Sequence, residues 1–337
     1  MLLEELCLLN GISGDEGEVR DFIISQIKGF CDYSVDALGN LIAHKKGKKT
    51  ASKKLMLCAH MDEVGFIVTS IKSDGSIKFA PVGGIDSAVC LGREVVIGKN
   101  KLPGVIGGKA VHNLSDDEKK KFPEISSLYI DIGASSKEEA EKFVALGDSI
   151  CFKSDFISFG SGMLKGKAID DRAGCAMLIE LIKEEWEYDT FFVFTVQEEI
   201  GTRGAKTASN IVKPDFAIVL ETTTASDIPG AEDEKRVCEL GKGAVVSYMD
   251  RSTIYDKELY KLAFEIAREK NIPVQTKTMV AGGNDSGAIH VSGSGVRTVA
   301  ISVPCRYLHS PSCVVKESDI LACKELARNL SAAIFKL

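Results

Sequence analysis

No stretch of the 337-residue chain is apolar over the roughly eighteen residues needed to cross a bilayer, so no membrane-spanning helix is expected. A basic excess is missing as well. The 42 Lys and Arg stand against 48 Asp and Glu, a net charge of −6, and phosphate binding needs a basic surface, so nucleic acid is disfavoured as a partner. The opening MLLEELCLLNG has no basic n-region and carries Glu4 and Glu5, so a secretory signal is not expected. Ten cysteines occur without one C-x-x-C pair. They read as buried small hydrophobes in a reducing compartment, which sets aside thiol chemistry and a cysteine zinc knuckle and favours the cytoplasm. Internal repeats and low-complexity linkers are also lacking.

What is present is an alternation of strand-like and helix-like runs. Leu2–Leu9 and Glu16–Gly29 are amphipathic and flank a Gly/Ser turn at Gly11–Gly14. Strands are predicted at Lys54–Ala59, Thr190–Val196, Phe216–Leu220 and Val296–Val303, and helices at Arg172–Glu185 and Glu258–Lys270. A last helix is predicted from an N-cap at Ser318 towards Phe335. This pattern predicts an α/β fold with a mixed, largely parallel sheet sandwiched by helices. Between Phe66 and Phe159 it gives way to short strands and glycine turns, interrupted by the charged DDEKKKF, read as a solvated loop or helix face. A small β-barrel-like domain over residues 66–160, inserted between catalytic parts 1–65 and 161–337, is the expected organisation.

Four clusters place ligand chemistry just after a predicted strand or at a helix start, where open α/β sheets build their sites. In CAHMDEVG, His60 and Asp62 share one side of an extended chain, and the carboxylate can fix the imidazole tautomer; alone, such a pair is more often a surface accident. In GKAIDDRAG, Asp170 and Asp171 read either as an N-cap or as a carboxylate bridging two cations. In VQEEIGTRGA, Glu198 and Glu199 follow an all-apolar strand; either they form an exposed loop, or one binds a metal while the other activates water. In PCRYLHSPS, His309 ends a loop, where a lone histidine is more often structural or exposed than a ligand. His44, His112 and His290 read as structural or exposed. Together the four clusters make the inventory of a two-metal hydrolase, with histidine and carboxylate donors that suit zinc, cobalt or manganese.

In order and spacing the four motifs resemble the M42 family of metallo-aminopeptidases, along essentially the whole chain. The resemblance implies hydrolysis of the N-terminal residue of peptides with two divalent ions per subunit, zinc or cobalt. It implies metal ligation by His60 and His309, support of His60 by Asp62, a bridge at Asp170, a general base at Glu198 and a ligand at Glu199. The remaining ligand position, commonly aspartate in the family, is Glu221 here, and it is expected to share an ion with His309. GGNDSG stands where the family often has GGTDAG, and Asp285 is expected to support the site without ligating. The resemblance further implies self-association through the insert, with dimers assembling into a dodecamer. Two rival readings stand beside it. One is an endoglucanase-type glycoside hydrolase, which would leave His60, Asp170 and His309 unemployed; the other is a non-catalytic oligomeric scaffold with the same fold.

Overall fold

The four most apolar predicted strands lie side by side. In the computed structural model, which describes residues 1–232 and 236–337, Thr190–Thr195, Leu55–His60, Phe216–Thr224 and Arg297–Cys305 are consecutive parallel neighbours. Nearly every residue in them is buried, as a sheet covered on both faces requires. Antiparallel partners complete an eight-stranded mixed sheet. Leu41–Lys45 and then Asp32–Val35 extend one edge, while Ala244–Val246 and its parallel neighbour Val274–Thr276 extend the other.

Side chains alternate between two cores, because successive residues of a strand point to opposite faces. Leu55, Leu57 and Ala59 pack with Phe192 and Phe194 against helices Leu2–Leu8, Gly17–Ile27, Ile169–Ile182, Lys257–Lys270 and Glu317–Ile334. Met56 and Cys58 pack on the other face, against Arg203–Val212 and Ser286–Ile289.

Between the strand ending at His60 and the one starting at Met163, six strands close a barrel: Gly65–Ile71, Ile77–Val82, Tyr129–Asp131, Leu102–Gly107, Glu94–Ile97 and Ser149–Phe152, in that spatial order. It has its own core, with Phe66 edge-on to Phe79 and Phe152 at centroid distances of 4.8 and 5.3 Å. Barrel strands end at Phe152. Ile157–Phe159 pairs instead with Met163–Gly166, which pairs with Cys313–Lys316.

The α/β class and the barrel are as the sequence led us to expect; some element ends are not. The strand from Phe216 runs on to Thr224, because its register with Arg297–Cys305 continues through Glu221 opposite Ser302. The last helix begins at Glu317 with Lys316 as N-cap, so Ser318 lies in its first turn. The Gly162 carbonyl takes the Glu317 N–H at 2.9 Å, leaving no capping task for Ser318. The charged stretch forms an exposed turn at Glu118–Lys120. Nine of the ten free cysteines are buried, Cys31 partly so. Among the described residues, no helix is long and apolar enough to cross a membrane.

Candidate active site

The carboxyl ends of the four central strands, with the entry to helix Ile169–Ile182, gather His60, Asp170, Glu198, Glu199, Glu221 and His309 around one cavity of about 280 Å³. His60 is the last residue of its strand and 2% exposed. Its Nε2 lies 3.3 Å from Asp170 Oδ1 and 3.4 Å from Glu221 Oε1. His309 Nε2 lies 3.5 Å from Asp170 Oδ2 and 3.3 Å from Glu199 Oε2. Two clusters result, His60–Asp170–Glu221 and Asp170–Glu199–His309, and Asp170 offers one oxygen to each. This corrects the expected pairing of Glu221 with His309. Glu221 lies inside its strand, next to the strand that ends at His60, and so it faces His60.

Both imidazoles are fixed the same way round. His60 Nδ1 is 3.0 Å from the Asp62 carbonyl oxygen, and His309 Nδ1 is 2.7 Å from that of Gly84, in the barrel segment. A carbonyl only accepts, so Nδ1 carries the proton in each ring and Nε2 is turned to the carboxylates. The Asp62 carboxylate stands farther from His60, at 3.5 Å. It is occupied elsewhere, accepting the Glu198 amide on Oδ1 at 3.0 Å and, on Oδ2, the Glu199 amide at 3.1 Å and Ser13 Oγ at 2.6 Å.

The aspartate pair divides the two readings that its sequence allowed. Asp171 is the helix cap, its Oδ1 accepting the Gly174 amide at 2.9 Å; a Cβ on Gly174 would sit 2.3 Å from Asp171 Oδ2. Asp170, joined to it by a cis peptide and non-helical, points to the histidines. Left-handed backbone at the non-glycine residues Ala168, Gln197 and His309 (φ 55°, 56° and 58°) accompanies the sharp turns that aim Asp170, the glutamates and His309. Such conformations cost energy and cluster at functional sites. Arg172 anchors the helix entry from below, fully buried, donating to the carbonyls of Met61, Leu6 and Gly11 at 2.8, 2.6 and 3.4 Å.

Crowded carboxylates dominate the electrostatics. Burial, with the Asp170 charge against the pull of His309, lifts Glu199 to about 8. Burial lifts Glu221 to about 8 too, Asp170 adding to it against the pull of His60. Glu198 rises well above the ordinary carboxyl range, chiefly by burial, with Glu221, Asp285 and Glu199 adding like charge. Burial would lower both histidines. Yet the Glu221 charge and the bonds to Asp170 and Asp62 hold His60 well above its ordinary value, and Asp170 with Glu199 hold His309 at about 9. Asp170 falls far below the usual range despite burial, through its bonds to His309 and His60. Such a set of donors fits two divalent cations: each would stand where an Nε2 proton otherwise does and offset the charge that drives the glutamates up.

Several participants had no signal in the sequence: Ser13, the Gly84 carbonyl, Thr222 and Lys277. Lys277 lines the cavity at 8% exposure, its pKa lowered by burial against the pull of Asp250 and Glu221. Asp285 stays out of both clusters, its Oδ2 accepting Thr195 Oγ1 at 2.5 Å, with Cys58 Sγ 3.6 Å away. The remaining histidines also stay outside them. His44 stacks on Phe191 at 4.5 Å, His112 is exposed and His290 Nδ1 bonds the Ser286 carbonyl at 2.8 Å.

Comparison with known proteins gives three kinds of likeness. The family profile described as M42 glutamyl aminopeptidase matches residues 39–326. The lysyl aminopeptidase of Pyrococcus furiosus is 32% identical over 98% of this chain and 95% of its own length. Among solved structures, the Pyrococcus horikoshii TET1 peptidase, which can assemble into a tetrahedron or a large octahedral shell, superposes with a TM-score of 0.86 at 35% identity, covering 97% of both chains. A Thermotoga maritima protein named endoglucanase superposes with a TM-score of 0.83 at 40% identity, covering 100% of this chain and 99% of that one.

Proposed function

The chain belongs to the M42 peptidase family and is a hydrolase of the aminopeptidase kind, and from that premise we propose that it removes the N-terminal residue of peptides with two divalent ions. The observation that carries this reading is the shared Asp170: one carboxylate divides its two oxygens between two histidine–glutamate pairs. His60, Asp170 and Glu221 would hold one ion, and Asp170, Glu199 and His309 the other. Nitrogen and oxygen donors without thiolate suit zinc or cobalt. When bound, such ions polarise a scissile carbonyl as Lewis acids and let water lose a proton near neutral pH.

The chain's own groups supply the rest. Glu198 lines the same cavity and belongs to neither cluster, so its carboxylate is free to accept the proton of the attacking water and return it to the leaving amine nitrogen. Its raised affinity for protons suits both halves of that exchange. Asp62 holds the Glu198 and Glu199 amides on one carboxylate, fixing base and ligand relative to each other. The barrel's Gly84 carbonyl orients His309.

Chelation should abolish release of amino acids from peptides, and zinc or cobalt should restore it. Full activity in rigorously metal-free protein would end the proposal. The same test addresses the endoglucanase name of the Thermotoga neighbour. A glycosidase works with two carboxyl groups about 5–9.5 Å apart and no metal, so it would be indifferent to chelation. A cytoplasmic location and self-association through the barrel belong to the same reading. The shells of the Pyrococcus horikoshii peptidase support assembly into a large particle, which in this reading is a dodecamer built from dimers, and light scattering that finds an active monomer would remove it.

A further inference from the structure

The Gly/Ser turn at Gly11–Gly14 is tied to the residues that follow the His60 strand. The Gly11 carbonyl accepts the Glu63 amide at 2.9 Å, and Ser13 Oγ donates to Asp62 Oδ2 at 2.6 Å. Just beyond the turn stands Glu16, at the N-cap position of helix Gly17–Ile27 and only 5% exposed. Its side chain makes no capping bond to that helix. Instead Oε1 accepts the Gly14 amide at 2.7 Å and, across 181 positions, the Gln197 amide at 3.0 Å.

Gln197 opens the segment that carries Glu198 and Glu199 from the end of one strand to helix Arg203–Val212. Its φ of 56° is a left-handed conformation that costs energy in a residue other than glycine. The amides around it all go to side chains. Val196 donates to Asn40 Oδ1 at 3.0 Å, Gln197 to Glu16, and Glu198 and Glu199 to the two oxygens of Asp62 at 3.0 and 3.1 Å. The carbonyls of Val196 and Gln197 accept the Gly204 and Arg203 amides at 3.0 and 3.1 Å. Successive amides left over by a sharp turn make a concavity for negative charge, and here the protein fills it with its own carboxylates. For Glu16 that place is costly. Burial lifts its carboxyl to about 7, against the pull of the Gly14 and Gln197 amides and with the Asp62 charge adding to the rise. A buried carboxylate with such a shift does not favour folding at neutral pH, so its role lies in the backbone that it fixes.

We propose that Glu16 is a positioning residue for the base: by pinning the Gln197 amide, it sets the backbone from which Glu198 enters the cavity. The inference rests on the base role of Glu198. A displacement of about 1 Å at a reacting group can cost about 100-fold in rate, so the loss of one such anchor should be visible in kcat.

The test uses the full-length enzyme at saturating zinc or cobalt with an aminoacyl anilide, and compares Glu16→Ala, Glu16→Gln, Glu198→Gln and the double variant Glu16→Ala/Glu198→Gln. Glu16→Ala should lose about tenfold or more in kcat, with KM nearly unchanged and both ions retained. Glu16→Gln keeps an accepting oxygen at the same reach and should recover most of that loss. In the Glu198→Gln background Glu16→Ala should have almost no further effect, because the group it positions is already gone. An unchanged kcat in Glu16→Ala overturns the proposal. So does the same fold-loss in both backgrounds, which a merely structural residue would give, and so does a loss that follows a missing ion. Should thermal melts show Glu16→Ala unfolded, Glu16→Asp withdraws the acceptor by one methylene and keeps the charge; the same loss and the same dependence on Glu198 are expected, and wild-type kcat overturns the proposal. A Glu198→Gln enzyme with wild-type kcat removes the base reading first, and the proposal with it, whereas a silent Glu16→Ala beside a crippled Glu198→Gln removes the proposal alone.

Discussion

Asp62 Oδ1 accepts the backbone amide of Glu198 at 3.0 Å, so a residue at the end of one strand sets where the candidate base begins after its parallel neighbour. The other oxygen does the same for Glu199 at 3.1 Å. Asp62→Asn would turn an amide group towards two backbone donors, and it can accept at only one oxygen. We expect a loss of about 10–100-fold in kcat or in metal affinity, the usual consequence of removing a group that orients ligands. Steady-state kinetics beside metal analysis checks it; unchanged values on both would leave Asp62 without that function.

Glu198 and Glu199 have the same side chain and different surroundings. Glu199 stands 3.3 Å from His309 Nε2, whereas Glu198 lines the cavity outside both clusters. Glu198→Gln should keep both ions and lose about 100-fold or more in kcat. Glu199→Gln should weaken one ion, and added metal should recover part of the activity. Metal stoichiometry measured together with kcat decides it, and the opposite pattern exchanges the two roles.

Glu221 groups with His60, 3.4 Å away, and not with His309. Glu221→Ala should therefore release the ion held by His60 and retain the one held by Glu199 and His309. Spectra of the cobalt-substituted protein, titrated to one and two equivalents, distinguish the sites. Two ions bound as tightly as in the wild type would move that ligand elsewhere.

Metal-free protein should lose stability as pH rises from about 4.5 to 9. Glu199 and Glu221 titrate at about 8 in the fold against 4.5 unhindered, so their contribution is complete below 4.5 and vanishes as pH passes 8. His309, at about 9 against 6.5, contributes fully below 6.5 and vanishes through 9. The depressed Asp170 acts in the opposite sense, but its contribution is already complete above its unhindered 3.8. With divalent metal present, the cations take over the role of the protons and the decline should flatten or reverse. Melting temperatures across this range, with and without zinc, test the sign; a metal-free protein that gains stability towards pH 9 would contradict it.

Much of this protein is written locally. The apolar runs around Leu55, Phe192, Phe216 and Val299 are too uniformly hydrophobic for a solvated sheet, so a covered parallel core could be read from them directly. The change to short strands after Phe66 betrayed the barrel in the same way. His60, Asp170, Glu198, Glu199 and His309 were legible because each stands beside a strand or helix end within a recognisable local motif. Only the tertiary structure decided who faces whom. Glu221 joins His60 through the order of strands in the sheet, which no spacing along the chain encodes. Asp170 and Asp171, neighbours of one residue type, separate into the residue shared by both clusters and the helix cap through backbone geometry. The Gly84 carbonyl reaches His309 across 225 positions, and Lys277 enters the cavity from the sheet edge. Periodicity records which face of an element is buried; the partners across a cavity are fixed by packing between distant segments, and that information exists only once the chain has folded.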